Sequence, residues 1–372
     1  MEITDVEVIP VRVPIKPKEE ELGLAPYVSN HGYVTDRDRV LLRLETTNGV
    51  VGWGEMLAAM NSAPATVSVI ENVVVPELLG QPAEEIRAFV ESFYHPYVKI
   101  DPFLGAVEMA MWDALGNERG ESVSTMLGGR VRESVDIAYC VGILDPEDSR
   151  EHARRALDHG FTALKTKAGH DWRVDVERLI AMDEEADGRL DLRLDPNQGW
   201  SYEDAVRVGA RLEDAGVYLQ YLEQPVRYEA YGTYKRLRER LRQPIAVNED
   251  TYFAHHLHHL VREDAIDVAC IDIVPAGGIL RGKDQAAVAA DAGVSVSHHN
   301  GFDLGIKQAA VLHTVATTPG INLAPDSVYY AWDDYLLEEP LTVEEGSMPV
   351  PEGPGLGIDV DESTVERYRI AI

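Results

Sequence analysis

Apolar and polar residues largely alternate from Ile3 to Val13, and Val40–Leu44 is a short apolar run with one Arg. Both patterns predict β-strands. Between them, residues 16–36 form a mostly polar stretch punctuated by Gly and Pro, carrying Tyr27, Asn30, His31 and Tyr33. Its length predicts a lid rather than a tight turn. From about Ala65 to Gly116 the apolar spacing turns helical, GAVEMAMWDALGN included. Strands followed by helices predict an α+β unit over residues 1–125.

The pattern changes after that. Short apolar strands at 135–141, 163–168, 191–196, 221–225, 245–249, 268–274, 294–299 and 321–326 alternate with amphipathic stretches. Segments such as PEDSREHARRALDHG and SYEDAVRVGARLEDAG open on Pro, Ser or Asp and close on Gly, the usual helix start and stop signals. Eight strands with seven crossovers predict a parallel (β/α) barrel over 126–326. The remaining 327–372, with PVPEGPGLGI, reads as an irregular segment returning to the first unit.

Composition narrows the function classes. The 372 residues carry 64 Asp and Glu against 34 Lys and Arg, a formal charge of -30. Nucleic acid and anionic membranes both need clustered cations, so neither is expected as a partner. Only eight of the 34 cations are lysines. A Lys-poor, acid-rich surface resembles those of salt-adapted (halophilic) microbes, where salt screens carboxylate repulsion. Two cysteines, Cys140 and Cys270, make no disulfide framework and fit a reducing cytoplasm. MEITDVEVIPVRVPI has no signal-peptide core, and no 18-residue apolar run predicts a membrane span.

Side chains that do chemistry in such a barrel sit at the C-terminal strand ends. The second strand ends in Lys165-Thr166-Lys167, and period two puts both ammonium groups on one side. Burial and mutual repulsion lower a lysine pKa, which suits a general base; two solvated lysines are the plain alternative. Asp195, Glu223 and Glu249 end the next three strands, 28 and 26 residues apart, one βα unit each. Three converging carboxylates call for a hard divalent cation, Mg²⁺ first. Asn197, Gln224, Asn248 and Asp250 stand beside them. Asp272 on the sixth strand and His299 on the seventh form a candidate carboxylate–imidazole pair, with His298 pointing away. Asp326 ends the eighth strand, where a protonated carboxyl would donate to a developing oxyanion. Tyr27 and His31 in the lid, with Asn197, are candidate substrate-binding residues. The tract AHHLHH at 254–259 is assigned to the helix after the fifth strand rather than to a metal.

These residues carry a resemblance. VVGWGE (50–55), AMWDALGNERGESVSTMLGG (110–129), ALKTKAG, LDPNQGW, LEQP, NED, AGG (276–278) and VPEGPGLGIDVDE resemble the enolase superfamily, in its mandelate racemase/muconate lactonizing branch. The resemblance spans nearly the whole chain. It implies an α/β fold: a modified TIM barrel, (β/α)₇β, with an N-terminal α+β capping domain. It also implies Mg²⁺ and removal of the proton α to a carboxylate to give a metal-stabilised enediolate. The Asp272–His299 pair is similar to the mandelate racemase-type subgroup. Carried over, Lys167 is the base on one face and His299, oriented by Asp272, the base or acid on the other. Lys165 holds the substrate carboxylate; Asp195, Glu223 and Glu249 hold the metal. Asp326 stands near where that subgroup places a Glu. Pro275 departs from a basic residue often found before the Gly-Gly, and Asp250 competes with Glu249 as the third ligand. The implied partner is a small carboxylate, and the implied assembly a homo-oligomer, dimer or octamer. The expected reaction is acid-sugar dehydration. The alternatives are racemisation or epimerisation of a 2-hydroxy or amino acid derivative, and a barrel that binds ligand without turnover.

Overall fold

Among the described residues the N-terminal part holds five strands: β1 (Ile3–Pro14), β2 (Tyr27–Ser29), β3 (Gly32–Val34), β4 (Asp36–Thr46) and β5 (Val51–Leu57). This computed structural model describes residues 1–93 and 98–372. β1, β4 and β5 form an antiparallel sheet in the order β1-β4-β5. The helix Asp101–Arg119 lies across it. Gly52 and Gly54 explain the closeness, since a Cβ at either would meet the backbone carbonyl of Ala110 or Ala106. The predicted 65–116 helical stretch is several helices, including Ala63–Val69 and Ile86–Ser92; its part at 94–97 lies outside the described residues. The predicted lid contains a hairpin, β2 against β3.

Strand β6 (Ser134–Asp136) stands outside the barrel. The barrel strands are β7 (Ala138–Val141), β8 (Ala163–Lys167), β9 (Asp191–Asp195), β10 (Tyr221–Glu223), β11 (Ile245–Val247), β12 (Val268–Ile271), β13 (Ser295–His298) and β14 (Asp326–Ser327). All pair in parallel in the order β13-β12-β11-β10-β9-β8-β7-β14. The fold is therefore mixed α/β, a nearly closed eight-stranded parallel barrel with an N-terminal antiparallel sheet.

Several predicted strands end early, 268–274 giving way to a helix at Ile273, and two need larger correction. The run 135–141 is not one strand. It breaks at Ile137, and β6 instead pairs antiparallel with β15 (Ser347–Pro349). The eighth strand is not 321–326 but the two residues of β14. Pro325 has no N–H to give a ladder. Asn322 and Leu323 reach β13 by single bonds to the Val296 carbonyl (3.1 and 3.0 Å), and Asn322 Oδ1 accepts from the Val296 N–H at 2.9 Å.

The C-terminal segment ties onto the N-terminal sheet and its helix. The Leu356 N–H donates to Asp113 at 2.8 Å, and Arg369 bridges to Val11. Asp113 also accepts from the Trp53 N–H at 2.8 Å, so one buried carboxylate joins three parts of the chain. AHHLHH lies on the helix Ala254–Arg262, after β11. Among the described residues, no helix is long and apolar enough to cross a membrane.

Candidate active site

The barrel strands are short, and the functional side chains sit at or just past their ends. Lys165 and Lys167 are on β8, Asp195 closes β9 and Glu223 closes β10. Glu249 opens a tight turn, Glu249–Tyr252, after β11. Asp272 caps a one-turn helix, Ile273–Ala276, by accepting from the Val274 N–H, and His299 follows β13 directly. A cavity of about 240 Å³ opens over this end. Lys165, Lys167, Asn197, Glu249, His299 and Asp326 line it from the barrel, and Tyr27 and His31 from the lid. Asp195, Glu223 and Asp272 stand behind that wall, each buried. A larger recess of about 670 Å³ beside Lys99 and Phe253 shares only Tyr252 with it.

Lys165 is the hub. Its Nζ lies 2.6 and 2.7 Å from the two Glu223 oxygens, 2.8 Å from Asp326 Oδ2 and 3.2 Å from Asp195 Oδ2. Burial does oppose the charge, but Asp326, Glu223 and Asp195 raise the pKa well above the ordinary value. Lys167 reaches Asp195 Oδ2 at 2.5 Å. Burial would raise Asp195, yet Lys167 and Lys165 hold it well below the usual carboxylate range. Glu223 goes the other way. Burial, with Asp195 and Asp326 adding to it, pushes Glu223 up to about 7 against the pull of Lys165.

Asp326 is not the protonated donor expected of it. Its Oδ1 accepts from Arg193 Nη1 at 3.0 Å and its Oδ2 from Lys165. Against burial, these two cations lower its pKa, so it stays an acceptor. Arg193, fully buried in the barrel, escaped the sequence reading because it stands inside a strand, not at its end.

The three acids read as metal ligands present only oxygen donors, the set that a hard divalent cation takes. Among the described residues, no three His, Cys, Asp or Glu already stand close enough together to hold an ion. Lys165 and Lys167 engage Asp195 and Glu223 instead. Glu249 carries the unmet demand. Its Oε1 accepts from Gln198 Nε2 at 2.9 Å, and its buried Oε2 has no partner. Its pKa is raised by burial and by Asp195. A cation would satisfy each of these, so the donor set fits one. Asp250 is differently occupied. It accepts from Gln224 Nε2 and the Glu229 N–H, both at 2.9 Å, and does not line the cavity. Asn197 and Gln198 both adopt left-handed backbone (φ 45° and 65°), a strained pair that aims Gln198 at Glu249.

On the opposite wall, His299 Nδ1 lies 3.3 Å from Asp272 Oδ2. His298 points away and is fully buried; burial lowers its pKa to about 4, so it is neutral. The sequence reading missed what lies behind the pair. Lys307, on the helix Gly305–Ala316, places its Nζ 2.9 and 3.0 Å from the two Asp272 oxygens and 2.9 Å from Asp303. Asp303 meets Arg39 of β4 at 3.2 Å, and Arg39 meets Glu55 of β5 at 2.7 Å. Glu55 in turn accepts from the Leu304 and Lys307 N–H groups, both at 2.8 Å, capping that helix. The last Glu of VVGWGE thus anchors the N-terminal sheet to the base of the site.

Comparison with known proteins agrees with this layout. Residues 13–128 match the model of the mandelate racemase/muconate lactonizing enzyme N-terminal domain, and 148–364 that of the enolase C-terminal domain-like family. The chain is 27% identical to muconate cycloisomerase 1 of Rhodococcus opacus, covering 92% of this chain and 95% of that one. It is 26% identical to arabinonate dehydratase of Saccharolobus solfataricus, covering 89% and 90%. A crystal structure of an enolase from Streptomyces coelicolor, solved without magnesium, superposes with a TM-score of 0.87 at 33% identity, covering 99% and 96%. Racemases and epimerases match as well, and members of this group generally use Mg²⁺. The chain is an enzyme of the mandelate racemase/muconate lactonizing family, within the enolase superfamily.

Proposed function

We propose that this enzyme removes the proton α to the carboxylate of an acid sugar and expels the β-hydroxyl as water. One observation carries the proposal: two proton carriers of different chemistry, Lys167 and His299, face one small cavity. They come from β8 and from just past β13, three strands apart round the barrel through β7 and β14, and so approach a ligand from different sides.

Asp195, Glu223 and Glu249 would hold a divalent cation, Mg²⁺ by donor type. Bound there, it supplies positive charge to the substrate carboxylate, making the α-proton more acidic. The chain's own residues do the rest. Lys165 adds a second fixed positive charge. Lys167 or His299 takes the α-proton, which is worth on the order of 10²–10⁴-fold. The C–H electron pair becomes the new C=C bond as the β C–O bond breaks. His299, as imidazolium, gives its proton to the departing hydroxyl. The resulting enol tautomerises to a 2-keto acid. Asn197, His31 and Tyr27 on the cavity wall suit a polyol chain.

The same two-sided arrangement supports a second reading, epimerisation, in which both bases work on one carbon. The test is a screen of acid sugars with Mg²⁺ at high KCl, scoring 2-keto acid formation. Hits that exchange the α-proton in D₂O without losing water would sink dehydration in favour of epimerisation. Unchanged turnover in Lys167→Ala would sink both.

A further inference from the structure

Arg37 of β4 lines the catalytic cavity and forms no ion pair among the described residues. That is unusual here, where acids outnumber cations nearly two to one. The fully buried arginines are all paired: Arg39 with Glu55, Arg178 with Asp175 and Arg193 with Asp326. The acids flanking Arg37 are engaged elsewhere, because Arg12 takes Asp38 at 2.6 Å and Asp36 at 3.6 Å. Arg37 itself is held in place. Its Nη1 donates to Asn61 at 3.2 Å, and its guanidinium lies 5.3 Å from the ring of Phe302. Phe302 is in turn fixed edge-on against Tyr27. The Arg37 Nε is buried with no partner. Burial, then the neighbouring Arg39, lowers the pKa of Arg37, so the cation is poorly compensated. A positioned guanidinium that no carboxylate of the chain has met suits a carboxylate of the ligand.

We infer that Arg37 is the specificity residue for a second carboxylate, so that the substrate is a small diacid held between the strand-end lysines and Arg37. The inference rests on the proposed α-proton chemistry at this site and adds the class of substrate. At about 240 Å³ the cavity is smaller than the roughly 300–1,000 Å³ of sites for drug-sized ligands. That size favours a chain of about six carbons or fewer, and a carboxylate terminus over a bulkier phosphate ester.

The test uses the full chain with Mg²⁺ in high KCl and calorimetric binding of matched pairs. These are tartrate against threonate, glucarate against gluconate, and galactarate against galactonate, with 6-phosphogluconate as the phosphate arm. At least one diacid is expected to bind about tenfold or more tightly than its monoacid. Arg37→Met is expected to weaken that diacid by about 10–100-fold and close the gap, with Arg37→Lys falling between. Four results overturn the inference: no diacid binds, pairs bind equally, 6-phosphogluconate outcompetes glucarate, or the preference survives Arg37→Met. A diacid that binds through Arg37 but never exchanges its α-proton would count against the proposed chemistry and leave the specificity role standing.

Discussion

Lys307 Nζ sits within 3.0 Å of both oxygens of Asp272, closer than His299 Nδ1, which stands 3.3 Å from Oδ2. The carboxylate that orients the imidazole is therefore shared with a buried ammonium. Burial would raise Asp272, but Lys307 first and the His299 bond next hold it well below the usual range. Lys307 is itself raised above its ordinary value, burial being outweighed by Asp272 and Asp303. The pair is thus fully ionised, and His299 leans on a carboxylate whose charge is already largely met.

Removing Lys307 tests this directly. Lys307→Met removes the cation that two buried carboxylates share and is expected to cost about 3–5 kcal/mol in urea denaturation. Asp303→Asn in the same chain should restore part of that loss by deleting one of the two charges. In the double variant Asp272 has lost its ammonium partner, so His299 is held less firmly and turnover of an acid-sugar hit should fall even where stability returns. Turnover of the double variant, read against His299→Gln and against its urea midpoint, separates positioning from stability. Unchanged turnover in a folded double variant would show that Lys307 serves packing only.

Metal binding separates Glu249 from Asp250. A cation that binds only the folded chain stabilises it by about 2.7 kcal/mol at a hundred times its Kd. Mg²⁺ is therefore expected to raise the thermal midpoint of wild type and of Asp250→Asn, whose carboxylate bonds Gln224 and Glu229 away from the cavity. Asp195→Asn, Glu223→Gln and Glu249→Gln should each lose most of that rise. If Asp250→Asn loses it and Glu249→Gln keeps it, the third ligand is Asp250.

What could be read from the chain follows the periodicity of the barrel. Lys165 and Lys167 stand out because a strand repeats every two residues. Asp195, Glu223, Glu249, Asp272 and His299 stand out because each βα unit places one strand end at the same mouth. Lys307, Arg37 and the Arg39–Glu55–Asp303 network obey no such repeat. They meet only because the N-terminal sheet packs over the barrel, through contacts some 250 residues apart in sequence. The eighth strand was misplaced for a related reason. The run 321–326 reads as a strand, but Pro325 and the side chain of Asn322 make its edge irregular.

His313 gives the stability test with the cleanest sign. Its Nδ1 accepts from the Ser124 N–H at 3.3 Å and its Nε2 faces the Leu356 carbonyl at 3.0 Å, an arrangement only the neutral ring satisfies. Burial lowers its pKa to about 4. The folded value lies below the unfolded value of about 6.5. Its contribution is therefore fully present above pH 6.5 and is lost as pH falls toward 4. By pH 5 the loss is roughly 2 kcal/mol. Wild type alone would not reveal it, because Glu108 and Asp113, raised by burial to about 7 and 6, gain stability over the same range. The difference between wild type and His313→Gln cancels those groups. In urea melts, the advantage of wild type over His313→Gln should shrink by about 2 kcal/mol between pH 7.5 and pH 5. A constant difference would mean that His313 is protonated in the fold, which its two bonds forbid.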